Sequence, residues 1–421
     1  MRVRTRLAVG AGTIAGHASR LAGRGAGDQI SGRVMLGVDP ELIAKLARDQ
    51  RVVLVSATNG KTTTTRLIAA ALEAEGEPVV SNVTGANLTS GVVSALARAR
   101  GPGFAVLEVD ERVLPRVYDA LRPELLVLGN LSRDQLDRFG EVHVLSDRWR
   151  ALLAANPEQV VVANASDPPV VWAAAPARTT WLELGTGWTG DSATCPQCGA
   201  LLGWNDRGFA CPNCGFCTPE TAHRLVGNHL ELDGATIPLR IALPGRWNVD
   251  NAALAIVAAT RLGVRADDAA LAVAAVESVA GRMATYTVPD GRTVRVLLAK
   301  NPAGWLEVLR YVQDVDTAVV LAVNAHVADG KDPSWLWDVP YELLAGHAVA
   351  AAGERALDVA VRLRYAGIDC LVERDVMRAV ARIDGPSVTV IASYTQFYGL
   401  SRRLARASRA ARPASEPERP A

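Results

Sequence analysis

The chain has 421 residues, enough for two or three domains that each bury a core of their own. It is 49% hydrophobic and 21% charged, the balance of a folded globular protein, and its net charge of +1 gives no global attraction for nucleic acid or an anionic membrane surface. Function must therefore come from local sites, and only Lys45, Lys61, Lys300 and Lys331 are present to do lysine chemistry.

The N-terminal stretch carries Arg2, Arg4 and Arg6 before the weakly apolar run from Leu7 to Ala18, which is rich in Gly and broken by His17. It is expected to enter the first domain as a short amphipathic segment rather than to act as an exported leader. No run approaches the ~20 apolar residues of a membrane span. Arg51 to Ser56 is a short β-branched run followed by a polar turn and, from Thr63 to Glu75, by helical spacing: strand, loop, helix. Further strands are expected at Phe104–Val109, Leu125–Leu128 and Gln159–Ala163, with a helix over Ser90–Arg100. Buried strands alternating with helices predict a mainly parallel α/β sheet with ligands at the strand C-termini.

The segment Trp188–Cys217 breaks that rhythm and reads as an insertion, about 190–220. Gly227–Leu232 and Thr236–Ile241 flank Asp233-Gly234 as a small antiparallel pair. Helices are expected over Asn251–Leu262 and Asp267–Val279. A second α/β unit follows, with strands at Val294–Leu298, Thr317–Val323, Ala348–Ala352 and Val388–Ala392. The expected organisation is an ATP-binding domain over residues 1–285, a smaller α/β domain over 286–405 and a disordered tail over 406–421, rich in Ala, Pro, Arg and Glu.

Ser56-Ala57-Thr58-Asn59-Gly60-Lys61-Thr62-Thr63 follows the first strand and opens a helix. There, backbone N–H groups and the helix N-terminus can cradle phosphate oxygens. Lys61 would reach the β- and γ-phosphates of ATP, and the Thr62 hydroxyl would bind Mg²⁺. The usual P-loop pattern asks for Gly where Val55 stands, and a polar turn with one exposed lysine is the plainer alternative.

Cys195-Pro196-Gln197-Cys198-Gly199 and Cys211-Pro212-Asn213-Cys214-Gly215 are two knuckles twelve residues apart. Each presents two thiolates to one ion, and the Gly after the second Cys permits left-handed backbone. Together they predict a closed, structural Zn²⁺ site. Cys217 and Cys370 are left as free thiols.

The string TNGKTT after a strand resembles the ATP loop of the Mur ligases and folylpolyglutamate synthases, and other landmarks fall in the same order. Asn82-Val83-Thr84-Gly85-Ala86-Asn87 resembles the loop after their second strand. Glu108 stands where those ligases place a Mg²⁺-binding glutamate, a fitting position for a carboxylate at a strand end. The plain alternative is that Glu108, Asp110 and Glu111 start a solvated helix. Asn248-Val249-Asp250-Asn251 resembles the segment near the adenine, and Gly281-Arg282 the arginine beside the nucleotide. Lys300-Asn301-Pro302 stands where the C-terminal domain begins. The resemblance implies nucleotide contacts from Asn59, Gly60, Lys61, Thr62, Thr63, Glu108, Asn248, Asn251 and Arg282.

Departures from the amino-acid-adding ligases are as informative. Little precedes the ATP loop, so no UDP-binding domain is expected. Asn130-Leu131-Ser132-Arg133-Asp134-Gln135-Leu136-Asp137-Arg138 replaces a DHLD-type segment, with Gln135 where His is usual. No lysine lies between Asp137 and Lys300, so the carbamylated lysine of those enzymes is excluded. These features, the cysteine insertion and Ala328-Asp329-Gly330-Lys331-Asp332-Pro333-Ser334-Trp335-Leu336-Trp337-Asp338 resemble one branch of the family, the MurT subunits of lipid II isoglutaminyl synthase.

That resemblance implies ATP-dependent phosphorylation of the D-glutamate α-carboxylate of the lipid II stem peptide. Ammonia from a glutaminase partner, GatD, then gives D-isoglutamine, in a heterodimer acting at the cytoplasmic face of the membrane. Asp332 or Asp338 would orient or deprotonate the ammonia. Asp332 is preferred, because Asp338 could instead cap a helix beginning near Pro340. No cysteine nucleophile with a plausible His partner is evident, which also points to nitrogen from another subunit. The alternatives are a stand-alone amino-acid ligase and a nucleotide-gated scaffold.

Overall fold

The computed structural model describes residues 3–22, 27–82, 85–134, 142–279 and 281–410, with the side chains of 409 and 410 excepted. They form two compact units: 3–133 with 142–279, and Asp134 with 281–410.

The first unit opens with helices α1 (Val3–Leu21), α2 (Asp28–Val38) and α3 (Leu42–Ala47). The N-terminal segment is thus a long helix rather than a short entry. Arg4 Nε donates to Val38 O at 2.8 Å and Thr5 lies against Asp39, so it is tied to the unit.

A six-stranded sheet follows: β1 (Gln50–Ser56), β2 (Val79–Ser81), β3 (Gly103–Glu108), β4 (Leu125–Leu128), β5 (Val160–Asn164) and β6 (Arg178–Leu182). All its pairs are parallel, in the order β2-β3-β1-β4-β5-β6. The connections are α4 (Lys61–Ala74), α5 (Thr89–Leu96), α6 (Leu114–Leu121), α7 (Val142–Ala154) and α8 (Pro168–Ala174). Alternation along β1 explains the two-sided core. Val53 and Val55 pack with Leu67, Ile68 and Leu72 of α4, whereas Val52 and Leu54 join the layer that holds Val93 and Val117. The chain leaves β1 toward β2 and leaves β4 toward β5, so the crevice between these neighbours is the switch point where α/β sheets bind ligands.

The insertion adds hairpin β7 (Gly203–Asn205) and β8 (Gly208–Ala210). Next come β9 (Arg224–Val226), β10 (His229–Leu232) and β11 (Ala235–Pro238), an antiparallel sheet in the order β11-β10-β9. The β10–β11 turn has φ of 50° at Asp233 and 84° at Gly234, the paired left-handed residues of a tight hairpin. Helices α9 (Arg246–Arg261) and α10 (Ala266–Ala274) pack on α4. The run Ala252–Ala259 in α9 is almost wholly buried, since alanines let two helices approach closely.

The second unit has its own sheet: β12 (Met283–Thr287), β13 (Thr293–Leu298), β14 (Ala318–Ala322), β15 (Val349–Ala352), β16 (Leu371–Val372) and β17 (Ser387–Ala392). Its order is β12-β13-β17-β14-β15-β16, with β12 antiparallel and the others parallel. Its helices are α11 (Pro302–Gln313), α12 (Ala356–Tyr365), α13 (Val376–Arg382) and α14 (Tyr394–Ala410).

Two of the expected domain boundaries differ. The second unit begins just after Val279 rather than after residue 285, because Met283 and Ala284 pair with Leu297 and Val296. Helix α14 continues past Arg406 to Ala410, since Phe397, Leu400 and Leu404 hold it on the core and its Ala/Arg-rich last turns are good helix formers. The rest of the expected tail, 411–421, lies outside the described residues. Among the described residues, no helix is long and apolar enough to cross a membrane.

Candidate active site

The site in the first unit grows from the C-terminal ends of β1, β3 and β4. Ser56 Oγ donates to Val109 O at 2.9 Å, tying the end of β1 to the exit of β3. The loop 57–60 is then clasped from β4: Thr58 N donates to Asn130 O at 2.7 Å. The Asn130 side chain accepts from Asn59 N and donates to Asn59 O, both at 3.0 Å. Gly60 starts α4 with φ of 87° and offers the helix no capping side chain, which leaves first-turn N–H groups for an anion. A Cβ there would fall 2.2 Å from Asn251 Oδ1, so only glycine fits.

Lys61, Thr62, Thr63 and Thr64 are buried in the first turn of α4. Lys61 Nζ donates to Ala57 O, to Thr58 O at 3.3 Å and to Glu111 Oε1 at 3.2 Å. The Thr62 hydroxyl donates to Glu108 Oε2. Asn82 fixes the backbone of Glu108 by accepting from its N–H and donating to its C=O, each at 2.8 Å, and also donates to Ala86 O. Glu108 is fully buried and Glu111 nearly so, which excludes the solvated-helix alternative. Helix α9 begins at Arg246, earlier than expected, so Asn248 and Asn251 share one face at i, i+3 spacing. Asn251 Oδ1 accepts from Thr64 at 3.3 Å, and Asn248 Nδ2 donates to Pro244 O at 2.6 Å.

The strand-end segment after β4 is held by side chains from three elements. Leu131 N donates to Asp167 Oδ2 at 3.1 Å, Ser132 N to Thr58 Oγ1 at 3.0 Å, and Arg133 N to Asp191 Oδ2 at 2.9 Å. Asp167 also caps α8 through Val170 N. The residue is half-buried, but its carboxyl lies deep. Burial above all pushes its pKa up to about 7, with Asp191 raising it further and the Val170 and Leu131 N–H groups opposing. Asp191 also accepts from Trp188 Nε1 at 2.7 Å.

The four knuckle cysteines converge, their sulfurs all within 4.8 Å of one another. Cys195 and Cys214 are 3.6 Å apart, and Cys198 and Cys211 3.5 Å. A tetrahedral ion with Zn–S bonds of about 2.3 Å needs sulfurs about 3.8 Å apart, so the donor set fits zinc. Gly199 and Gly215 take φ of 76° and 74°. Their N–H groups turn back onto Cys195 O and Cys211 O. The Cys198 thiol is lowered, first by Asn213 and then by the Ala200 N–H, whereas burial raises that of Cys195. Phe209, Leu202 and Val171 pack behind the cluster, and Phe216 meets Trp172 of α8 edge-on. One zinc per chain is expected by elemental analysis, and Cys198→Ser should release it and lower the thermal midpoint. Full retention of both would exclude a structural metal. Cys217 and Cys370 form no disulfide.

The second unit holds the remaining candidates. Arg282 O accepts from Leu298 N at 3.1 Å, and Lys300 pairs with Asp134. Asn301 caps α11 through Gly304 N at 2.9 Å. Asp329 accepts from Thr395 N and Oγ1 at 2.7 and 2.6 Å, so the turn before Asp332 is anchored at this residue rather than loose. Asp332 is exposed and accepts from Ser334 N at 2.8 Å. Asp338, also exposed, ends a 3₁₀ turn at Ser334–Asp338. The next turn, Tyr341–Leu344, has Pro340 rather than Asp338 at its cap position. Trp335 meets Trp305 at a tilt of 47°, and Trp337 meets Tyr365 edge-on.

The structure thus gathers Asn59, Gly60, Lys61, Thr62, Thr63, Glu108, Asn248 and Asn251 in one unit, while Arg282, Asp332 and Asp338 belong to the other. Val83, Thr84 and Gln135–Arg138 lie outside the described residues. The ion-pair role of Glu111 and the clasps by Asp167 and Asp191 were not foreseen. Asp before Pro-Pro is a helix-start signature that could have revealed Asp167. Nothing local marks Asp191.

Fold and phosphate loop together define a ligase of the Mur type: residues 55–186 match the Mur ligase middle domain, and 298–397 match the MurT ligase C-terminal domain. The chain superposes on a pseudomurein peptide ligase type C from Methanothermus fervidus with a TM-score of 0.66 at 19% identity, covering 87% of this chain and 80% of that one. MurF from Acinetobacter baumannii gives 0.65 at 16% identity, covering 90% and 80%. The MurT subunit of lipid II isoglutaminyl synthase (glutamine-hydrolyzing) from Staphylococcus aureus is 30% identical over 93% of this chain and 96% of its own length. The Streptococcus pneumoniae counterpart is 28% identical over 91% and 94%. The chain belongs to the MurT family of ATP-dependent Mur ligases.

Proposed function

We propose that this chain is the ligase subunit of a glutamine-hydrolysing lipid II isoglutaminyl synthase in peptidoglycan synthesis. Near full-length likeness to subunits of that name carries the reading, since it takes in both units and the cysteine insertion. The α-carboxylate of the D-glutamyl residue attacks the γ-phosphorus of ATP, ADP leaves and an acyl phosphate forms. Ammonia released from glutamine by a GatD-type glutaminase subunit then attacks the acyl carbon and expels phosphate, leaving D-isoglutamine. A lipid-linked acceptor would place the reaction at the inner face of the membrane.

Phosphoryl transfer is governed by positioning and charge. The Gly60 loop and the first turn of α4 would hold the phosphates, and Lys61 would exchange Glu111 for the γ-phosphoryl oxygens. Thr62 and Glu108, a hydroxyl and a carboxylate side by side, are the oxygen donors a hard cation prefers. Mg²⁺ bound there would neutralise developing phosphate charge. Asn59, Thr63, Asn248, Asn251 and Arg282 complete the nucleotide contacts in this reading. Asp332, with Asp338 as second choice, orients the ammonia or takes its proton.

Purified chain with ATP and lipid II is expected to form amidated product with free ammonia, and with glutamine only when the glutaminase is added. Product formed with an amino acid in place of ammonia would establish the stand-alone ligase instead. ATP turnover indifferent to any acceptor would favour the scaffold.

A further inference from the structure

Helix α1 is built the opposite way to an ordinary surface helix. Its inward face is made of small residues, with Thr5, Ala8, Gly12, Gly16 and Ser19 buried. Helix α2 approaches so closely that a Cβ on Gly12 would fall 2.3 Å from the Met35 side chain. Large side chains have no room there, and they sit outside. Val3, Leu7, Ile14 and Leu21 are 76%, 63%, 73% and 90% exposed. At ~100° per residue all four fall within a wedge of about 40°. Arg6 and His17 border this wedge on one side and Arg4 on the other, with Arg20 farther round beyond Arg6, all exposed, and no acidic residue occurs in Val3–Leu21.

We propose that this outer face docks α1 flat on an anionic lipid surface. An aliphatic line flanked by bases, with no acid on the helix, is the pattern of helices that lie in the headgroup region, the aliphatics entering the acyl boundary and the arginines meeting lipid phosphates. A second copy of the same face would set bases against bases, which disfavours self-pairing. The near-zero net charge hides this local polarity. The docking stands whether or not the acceptor of the ligase is lipid-linked.

The test is co-sedimentation of the full-length, zinc-loaded chain with vesicles of phosphatidylglycerol and phosphatidylcholine, or of phosphatidylcholine alone. The expected result is binding to the anionic vesicles that weakens with salt. Leu7→Ser with Ile14→Ser should weaken it about tenfold or more, in keeping with lost apolar insertion. The thermal midpoint should not change, because both side chains are exposed; Leu7→Ala with Ile14→Ala repeats the test without loss of helix propensity. Arg6→Glu should remove the preference for anionic lipid. Three results would overturn the proposal: no binding of the wild type to either vesicle, equal binding of the wild type and both double variants, or a wild-type dimer that the double variants turn into monomer.

Discussion

Lys61→Ala is expected to abolish ATP-dependent amidation, with a loss on the order of 10²–10³-fold or more, the usual effect of deleting one preorganised group that meets developing charge. Lys61 is held against Ala57 O, Thr58 O and Glu111, with side-chain exposure of 5% for Lys61 and 10% for Glu111. Removing the lysine alone strands a buried carboxylate, at a cost of about 3–5 kcal/mol. Destabilisation could therefore mimic a catalytic defect. The double variant Lys61→Ala with Glu111→Gln separates the two, because it restores neutrality without restoring a cation. Recovery of the thermal midpoint with amidation still absent is the expected pattern. Wild-type rates from either folded variant would refute the assignment of this loop to ATP.

The second large effect concerns the exposed acids of the second unit. Asp332→Asn is expected to reduce amidation by about 10²–10⁴-fold, the range for loss of a general base, while nucleotide affinity stays near wild type. The affinity should persist because the phosphate loop and its clasps belong wholly to the first unit. The fold should persist too: Asp332 accepts a hydrogen bond from Ser334 N, and an asparagine oxygen can accept it equally well. Asp338→Asn serves as the comparison. A pair of variants that both amidate at wild-type rates would remove this loop from the mechanism. Loss of nucleotide binding in parallel with amidation would instead assign the acids to the nucleotide.

The elements that were legible in the sequence are those with strong local signals. Leu125–Leu128 reads as a strand because it is a short, wholly apolar run, and it is one. The Asp233-Gly234 turn is legible because the two residues tolerate positive φ. Other elements gave little to read. β2 is three half-buried residues, and β12, Met283–Thr287, mixes polar and apolar residues on an edge. The polar opening of α9, Arg246–Asp250, hid the start of that helix, which only burial against α4 specifies. Within the candidate site, the contiguous Asn59–Thr63 string was readable, whereas the groups that hold it were not. Asn130 lies 71 residues along the chain from Asn59, and Asn251 lies 187 from Thr64.

The sequence by itself determined whatever depends on spacing within a turn or two. It set the strand–loop–helix at Gly60, the thiolate pairs of the two knuckles, and the absence of any lysine between Asp137 and Lys300. Tertiary structure decided which groups face them. Strand order β3-β1-β4 brings Glu108, Glu111 and Asn130 to the loop after β1, and the packing of α9 on α4 sets Asn251 on Gly60. It also turned Asp167 and Asp191 onto alternate N–H groups of one segment, those of Leu131 and Arg133. The physical reason is that a helix turn or metal knuckle is closed by bonds between near neighbours. Pairing across a parallel sheet is instead fixed by the burial of whole strands and helices, which no single short segment encodes.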